Sequence, residues 1–128
     1  MITTRFLEIA EDLELAGLIW QPEIGDEIAK REEKKAIQIL VDPQGMTPDE
    51  LRLTYLWLPS VEQILLQFEA RQTVLQHAGL ELSEKALFYR TVLVTPGGPI
   101  ESRGDSLRHS MGMALRNLLL AHAPQAIN

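Results

Sequence analysis

The stretch Leu87-Phe88-Tyr89-Arg90-Thr91-Val92-Leu93-Val94-Thr95-Pro96-Gly97-Gly98-Pro99 decides the fold class. From Leu87 to Val94 every residue but Arg90 is β-branched, aromatic or leucine, the composition that fits a pleated, largely covered strand. The Pro-Gly-Gly-Pro run then supplies residues that stop it. A strand this apolar is expected at the centre of a sheet.

Helical patterns lie on both sides. Upstream, Ser60 and Gln63 have capping-box spacing, and Val61, Ile64, Leu65, Phe68 and Leu75 recur on one helical face. This predicts a helix to about Ala78, closed by Gly79. Downstream, Asp105 or Ser106 caps a last helix whose buried stripe is Leu107, Met111, Ala114, Leu115, Leu118 and Ala121.

Further towards the N-terminus, Thr47-Pro48-Asp49-Glu50 reads as a helix start, with a cap residue, proline at the first helical position and glutamate three residues after the cap. Arg52 to Leu58 reads equally as a strand, because Leu51, Leu53, Tyr55 and Trp57 alternate. Helix or strand stays open for residues 51–58. Ala36 to Val41, with Ile37, Ile39 and Val41 on one side, predicts a strand stopped by Asp42-Pro43-Gln44-Gly45. Glu27 to Lys35 is expected to be a hairpin with a charged tip. Leu18 to Trp20 reads as a short extended stretch. Thr4 caps a first helix to about Ala16, with Phe6, Ile9, Ala10 and Leu13 inward and Gly17 as a left-handed stop. The sum is one α+β domain over residues 1–128: a small antiparallel sheet with three or four helices packed mainly on one face.

The chain has 12 Lys and Arg against 18 Asp and Glu, a net charge of −6. That charge repels a phosphate backbone, so nucleic acid is not an expected partner. Residues 65–128 carry 5 acids and 6 bases, so any anion site belongs in the second half. Cysteine is absent, which removes disulfides, thiolate metal sites and cysteine nucleophiles and fits a reducing compartment. Glu8, Glu11, Asp12 and Glu14 make the N-terminal stretch unlike an export signal, and apolar runs such as Leu118 to Ala121 are far shorter than a bilayer span. The expectation is a cytoplasmic protein without a membrane partner.

Two Trp-Pro corners concentrate the unusual residues: Trp20-Gln21-Pro22-Glu23-Ile24-Gly25-Asp26-Glu27 and Trp57-Leu58-Pro59-Ser60. Indole faces beside Glu23 and Asp26 could hold a cationic or amide ligand; equally, both tryptophans could simply anchor the core. The pair W-Q-P-E-x-G-D-E and W-L-P-S-V-E-Q resembles a group of small uncharacterised bacterial and prophage-associated proteins. That resemblance implies no activity, but it does imply that the two corners form one structural unit.

A second candidate is the glycine-rich segment from Pro96 to Ser106, read as a loop running from strand to helix. Gly97 and Gly98 would offer amides, and Arg103 and Arg108 charge, to a small anion; a plain surface connector is the competing reading. The histidines His77, His109 and His122 show no zinc spacing, and neither a metal nor a cofactor is expected. Asp105, Ser106, His109 and Ser110 read as ordinary helix residues, not as a nucleophile and its base. Met113 and Leu120, flanked by Arg116, form a second apolar ribbon on the last helix and suggest a homodimer interface. The functional expectation is a non-enzymatic, self-associating protein-interaction module; the alternative is an anionic-ligand-binding protein or enzyme using residues 96–106.

Overall fold

The computed structural model describes residues 4–33 and 36–121. His122 lies outside them. The elements run α1 (Thr4–Leu15), β1 (Glu27–Lys30), β2 (Ile37–Ile39), α2 (Pro48–Thr54), β3 (Tyr55–Trp57), α3 (Val61–Ala70), β4 (Val74–Ser83), β5 (Ala86–Thr95), β6 (Gly98–Gly104) and α4 (Leu107–Ala121). The fold is α+β, and all strand pairing is antiparallel. The strands divide between two three-stranded sheets, ordered β2-β1-β3 and β4-β5-β6, where a single sheet was expected.

The central position of the Leu87–Val94 strand is as expected, since β5 pairs with both β4 and β6. Its inward residue Leu93 is fully covered, as are Phe68 of α3 and Leu115 and Leu118 of α4. Covering a side chain of this size contributes roughly 1.5–3 kcal/mol. Helix α4 is the element around which the rest assembles: it packs on α1, α3, β5 and β6. Gly112 permits the α1 contact, because a Cβ there would lie 2.9 Å from Ile9 Cγ2 and 3.3 Å from the Phe6 ring. Against β5 and β6 the apolar contact includes a neutral polar cluster. Thr91 Oγ1 and Ser110 Oγ are 2.7 Å apart, Ser110 donates to the Ser102 carbonyl at 3.3 Å, and Asn117 donates to Ser102 Oγ at 3.2 Å.

The N-terminal half follows its sequence signals closely. Helix α1 buries Phe6, Ile9, Ala10 and Leu13, and Gly17 takes φ +104° just past its end. The hairpin reading holds for its arms, β1 and β2, while Lys34 and Lys35 of its tip lie outside the described residues. The ambiguity of residues 51–58 resolves into both answers in turn: α2 runs to Thr54, and β3 begins at Tyr55. The capping boxes Thr47/Glu50 and Ser60/Gln63 both form.

Two expectations need correction. Helix α3 ends at Ala70, not near Ala78, and residues 74–83 form β4, with Gly79 inside that strand. The stop is a Schellman closure in which the Gln72 N–H bonds Glu69 and the Thr73 N–H bonds Phe68, with Gln72 at φ 55° where glycine is usual. Leu75 satisfied both the helical period and the strand period, so it could not reveal the change. Residues 96–106 are not a loop entering a helix: Thr95 to Gly98 is a tight turn, and Gly98–Gly104 is strand β6. The Thr95 hydroxyl holds the turn by donating to the Gly98 carbonyl at 2.7 Å and accepting the Gly97 N–H at 3.1 Å.

Candidate functional site

The two Trp-Pro corners meet at the carboxylate of Asp26. Strand β1 starts beside it, and the Asp26 carbonyl accepts the Leu40 N–H, which fixes the backbone at that point. The Trp20 indole donates to Asp26 Oδ2 at 2.8 Å, the Glu23 N–H donates to the same oxygen at 2.9 Å, and Gln63 Nε2 donates to Oδ1 at 2.7 Å. Asp26 is 5% exposed, and so is Trp20. Three hydrogen bonds from neutral donors stand in for the lost hydration of this carboxylate.

Gln63 has a second task. Its Oε1 accepts the Ser60 N–H at 2.9 Å in the capping box of α3, while its Nε2 reaches Asp26. The start of α3 is thereby tied to the start of β1. The Trp-x-Pro-x-x-Gly-Asp and Trp-Leu-Pro-Ser stretches therefore form one structural unit. Trp57 packs half-buried against the small cluster of Trp20, Ile28, Leu40 and Leu51. Its Nε1 is covered and has no hydrogen-bond partner among the described residues. In front of Asp26 lies a cleft of about 240 Å³, walled by Ile19, Gln21, Glu23, Trp57 and Gln63 among others. Glu23 contributes its backbone to Asp26 and leaves its side chain exposed.

The proposed anion residues are not brought together. Gly97 and Gly98 form the β5–β6 turn, and Arg103 stands five residues along β6, roughly 16 Å away at strand spacing. Arg103 stacks on Phe88 at 4.5 Å and lies beside Glu101. Arg108 is fully engaged elsewhere: it donates to the Pro59 carbonyl at 2.8 Å, the Leu58 carbonyl at 2.6 Å and Glu27 Oε2 at 2.7 Å, and covers the Phe6 ring at 4.3 Å. It clamps α4 onto β1, the second corner and α1. Sequence reading missed both this clamp and the Gln63–Asp26 bond, because their partners lie 37 to 81 positions apart.

The proposed interface ribbon on α4 is only partly available. Met113 packs against its own core, and Arg116 reaches Asp12 at 3.2 Å. Leu120 remains 57% exposed beside Leu15 at 86%. Further uncovered apolar surface lies in the strands. Leu80, Leu82 and Leu87 are 55%, 77% and 65% exposed, and they share a face because Leu80 pairs with Tyr89 and Leu82 with Leu87. Ile37, Ile39 and Val41 form a second exposed row.

A groove of about 650 Å³ opens between the end of α1 and α2, over Leu18, Ile19, Trp20 and Leu53. Two ion pairs flank it, Arg31–Glu14 at 2.6 Å and Arg52–Asp49 at 2.9 Å. No group of three or more histidine, aspartate or glutamate side chains capable of holding a metal occurs among the described residues. No helix among them is long and apolar enough to cross a membrane. Compared with known proteins, the chain matches no family model, and no curated protein or solved structure resembles it at a significant level.

Proposed function

We propose that this chain is a cytoplasmic, non-enzymatic protein-interaction module that associates with a second copy of itself. The observation that carries this reading is the apolar surface left uncovered: Leu80, Leu82 and Leu87 on the β4–β5 hairpin, and Ile37 and Ile39 of β2 with Val41 just beyond its end. Contiguous apolar patches of this kind mark surfaces that are covered in a complex. The polar corner supports the same reading from the other side, since the hydrogen-bonding atoms of Asp26 and Gln63 are spent on joining elements of the chain. The test is sedimentation velocity from low to several hundred micromolar. A concentration-dependent shift to dimer supports self-association; a monomer throughout removes it.

A ligand-binding reading keeps one foothold, the groove over Leu18 and Trp20, whose volume suits a small amphipathic molecule. Thermal-shift screening with apolar carboxylates addresses it, because saturation at 100 times the dissociation constant stabilises by about 2.7 kcal/mol.

A further inference from the structure

We infer that the self-association surface is the outer edge of β2, and that two copies join it edge to edge, antiparallel, about a two-fold axis at Ile39. This inference rests on the self-association reading and names the surface that performs it.

The backbone gives the first argument. Leu40 turns its N–H to the Asp26 carbonyl at 2.8 Å and its carbonyl to the Gly25 N–H at 2.8 Å, so at Leu40 the hydrogen-bonding groups face β1. In a strand these directions alternate with each residue. Within β2 the N–H and C=O groups of Ile37 and Ile39 therefore point away from β1, off the edge of the sheet, and an extended course carried on through Leu40 turns those of Val41 the same way. A row of such groups is matched by another extended chain.

Side chains give the second. Ile37 pairs with Ala29, which in turn pairs with Leu56, and both of these are buried on the core face of the sheet. Ile39 and Val41 continue that apolar face beyond its cover, so the row is 36%, 50% and 75% exposed in order along the chain. An axis at Ile39 sets Ile39 opposite its own copy and Ile37 opposite Val41 of the second copy. Those three cross-strand pairs are all β-branched, the type that stabilises neighbouring strands. With the extended course of β2 carried through Val41, they are also the pairs whose backbone groups face one another. The hydrogen-bond phase and the apolar pattern thus select the same register, and the sequence is complementary to itself in that register.

The long edge strands of the second sheet are defended. Strand β6 carries Pro99 and the charged side chains of Glu101 and Arg103, and β4 is bulged between Leu75 and His77. Proline, charge and bulges are the usual means of keeping an edge unpaired. Two short edges bury less than the roughly 1,200 Å² of a standard stable interface, so the dimer forms in a concentration-dependent way.

The experiment compares the native chain with Ile39→Lys and with Leu82→Lys/Leu87→Lys by sedimentation, with thermal melting to confirm folding. Ile39→Lys sets two like charges against each other at the axis and is expected to weaken dimerisation about tenfold or more, while the hairpin variant dimerises as the native chain does. A complementary arm uses Ile39→Cys, the first cysteine in the chain, with a short bis-methanethiosulfonate linker. Efficient covalent dimer from Ile39→Cys, and little from Leu82→Cys or Leu120→Cys, is the expected pattern. If the native chain dimerises but Ile39→Lys dimerises equally well, the β2 edge is overturned and self-association stands. If the native chain is monomeric at every concentration, both fall.

Discussion

The β2-β1-β3 sheet has a closed end and an open edge, and the contrast between them separates what holds the chain together from what is left to work with. At the closed end, Asp26 gathers Trp20, Glu23 and Gln63 onto one carboxylate, and Arg108 fastens Glu27 and the carbonyls of Leu58 and Pro59. At the open edge, Ile37, Ile39 and Val41 keep exposed apolar side chains, and β2 has no strand neighbour on its outer side among the described residues. Both ends use polar chemistry, but only the first pairs charged side chains within the chain, at Asp26 and at Glu27 with Arg108. Buried polar groups left without partners cost about 1–3 kcal/mol each, which is why the closed end tolerates little change.

The largest expected effect breaks the closed end. Asp26→Ala strands the buried Trp20 indole donor and frees Gln63 and the Glu23 amide, so a loss of about 3 kcal/mol in chemical denaturation is expected. Asp26→Asn retains an acceptor and should fall between the variant and the native chain. An Asp26→Ala protein as stable as the native chain would show that the corners do not depend on this carboxylate.

Arg108→Met comes next. It keeps much of the cover over Phe6 but removes the hydrogen bonds to Leu58 and Pro59 and the partner of Glu27, which is 28% exposed. Partial exposure lowers the penalty of the broken pair, and about 2 kcal/mol is expected. The neutral contact of α4 with the other sheet gives a control: Ser110→Ala loses the bond to Thr91 without stranding a charge and should cost about 1–2 kcal/mol.

At the open edge the expected stability change nearly vanishes. Ile39→Lys should alter the dilute monomer by no more than about 0.5 kcal/mol, because the side chain is half exposed and no core contact is lost. A large melting shift in dilute protein would mean that Ile39 belongs to the closed part of the molecule.

The smallest effect lies on the charged face of the second sheet, where Arg90 bonds Glu101 at 2.8 Å and Glu81 at 3.2 Å. The hydrogen bond from Arg90 holds the Glu101 carboxyl below its ordinary value. A carboxyl lowered on folding adds stability above its unfolded pKa and loses it as pH falls through the folded value. Melting curves of native protein and Glu101→Gln should therefore differ slightly at neutral pH and converge in acid. A difference that grows in acid contradicts this assignment.

Much of the local structure was legible because single segments carry their own signals. The Gly17 stop, the two capping boxes and the β-prone run of β5 all act within a few residues of themselves. The errors arose where a signal was ambiguous or non-local. Gln72 occupies a left-handed position without advertising it as glycine would, so α3 was extended into β4. Pro96 to Ser106 looks like a loop in composition, yet its pairing with β5 makes most of it strand. The Trp20–Asp26 bond spans six positions and was within reach of sequence reading, whereas Gln63 joins the corner across 37 positions through an atom its capping role leaves free.

Amide hydrogen exchange at the open edge tests the central claim most directly. The Leu40 N–H, bonded to Asp26 within the chain, should be protected at every concentration. The amides of Ile37, Ile39 and Val41 should exchange rapidly in dilute protein and become protected together as concentration rises, with the same midpoint as dimerisation. Rapid exchange of all three at concentrations where the protein is dimeric would contradict the account.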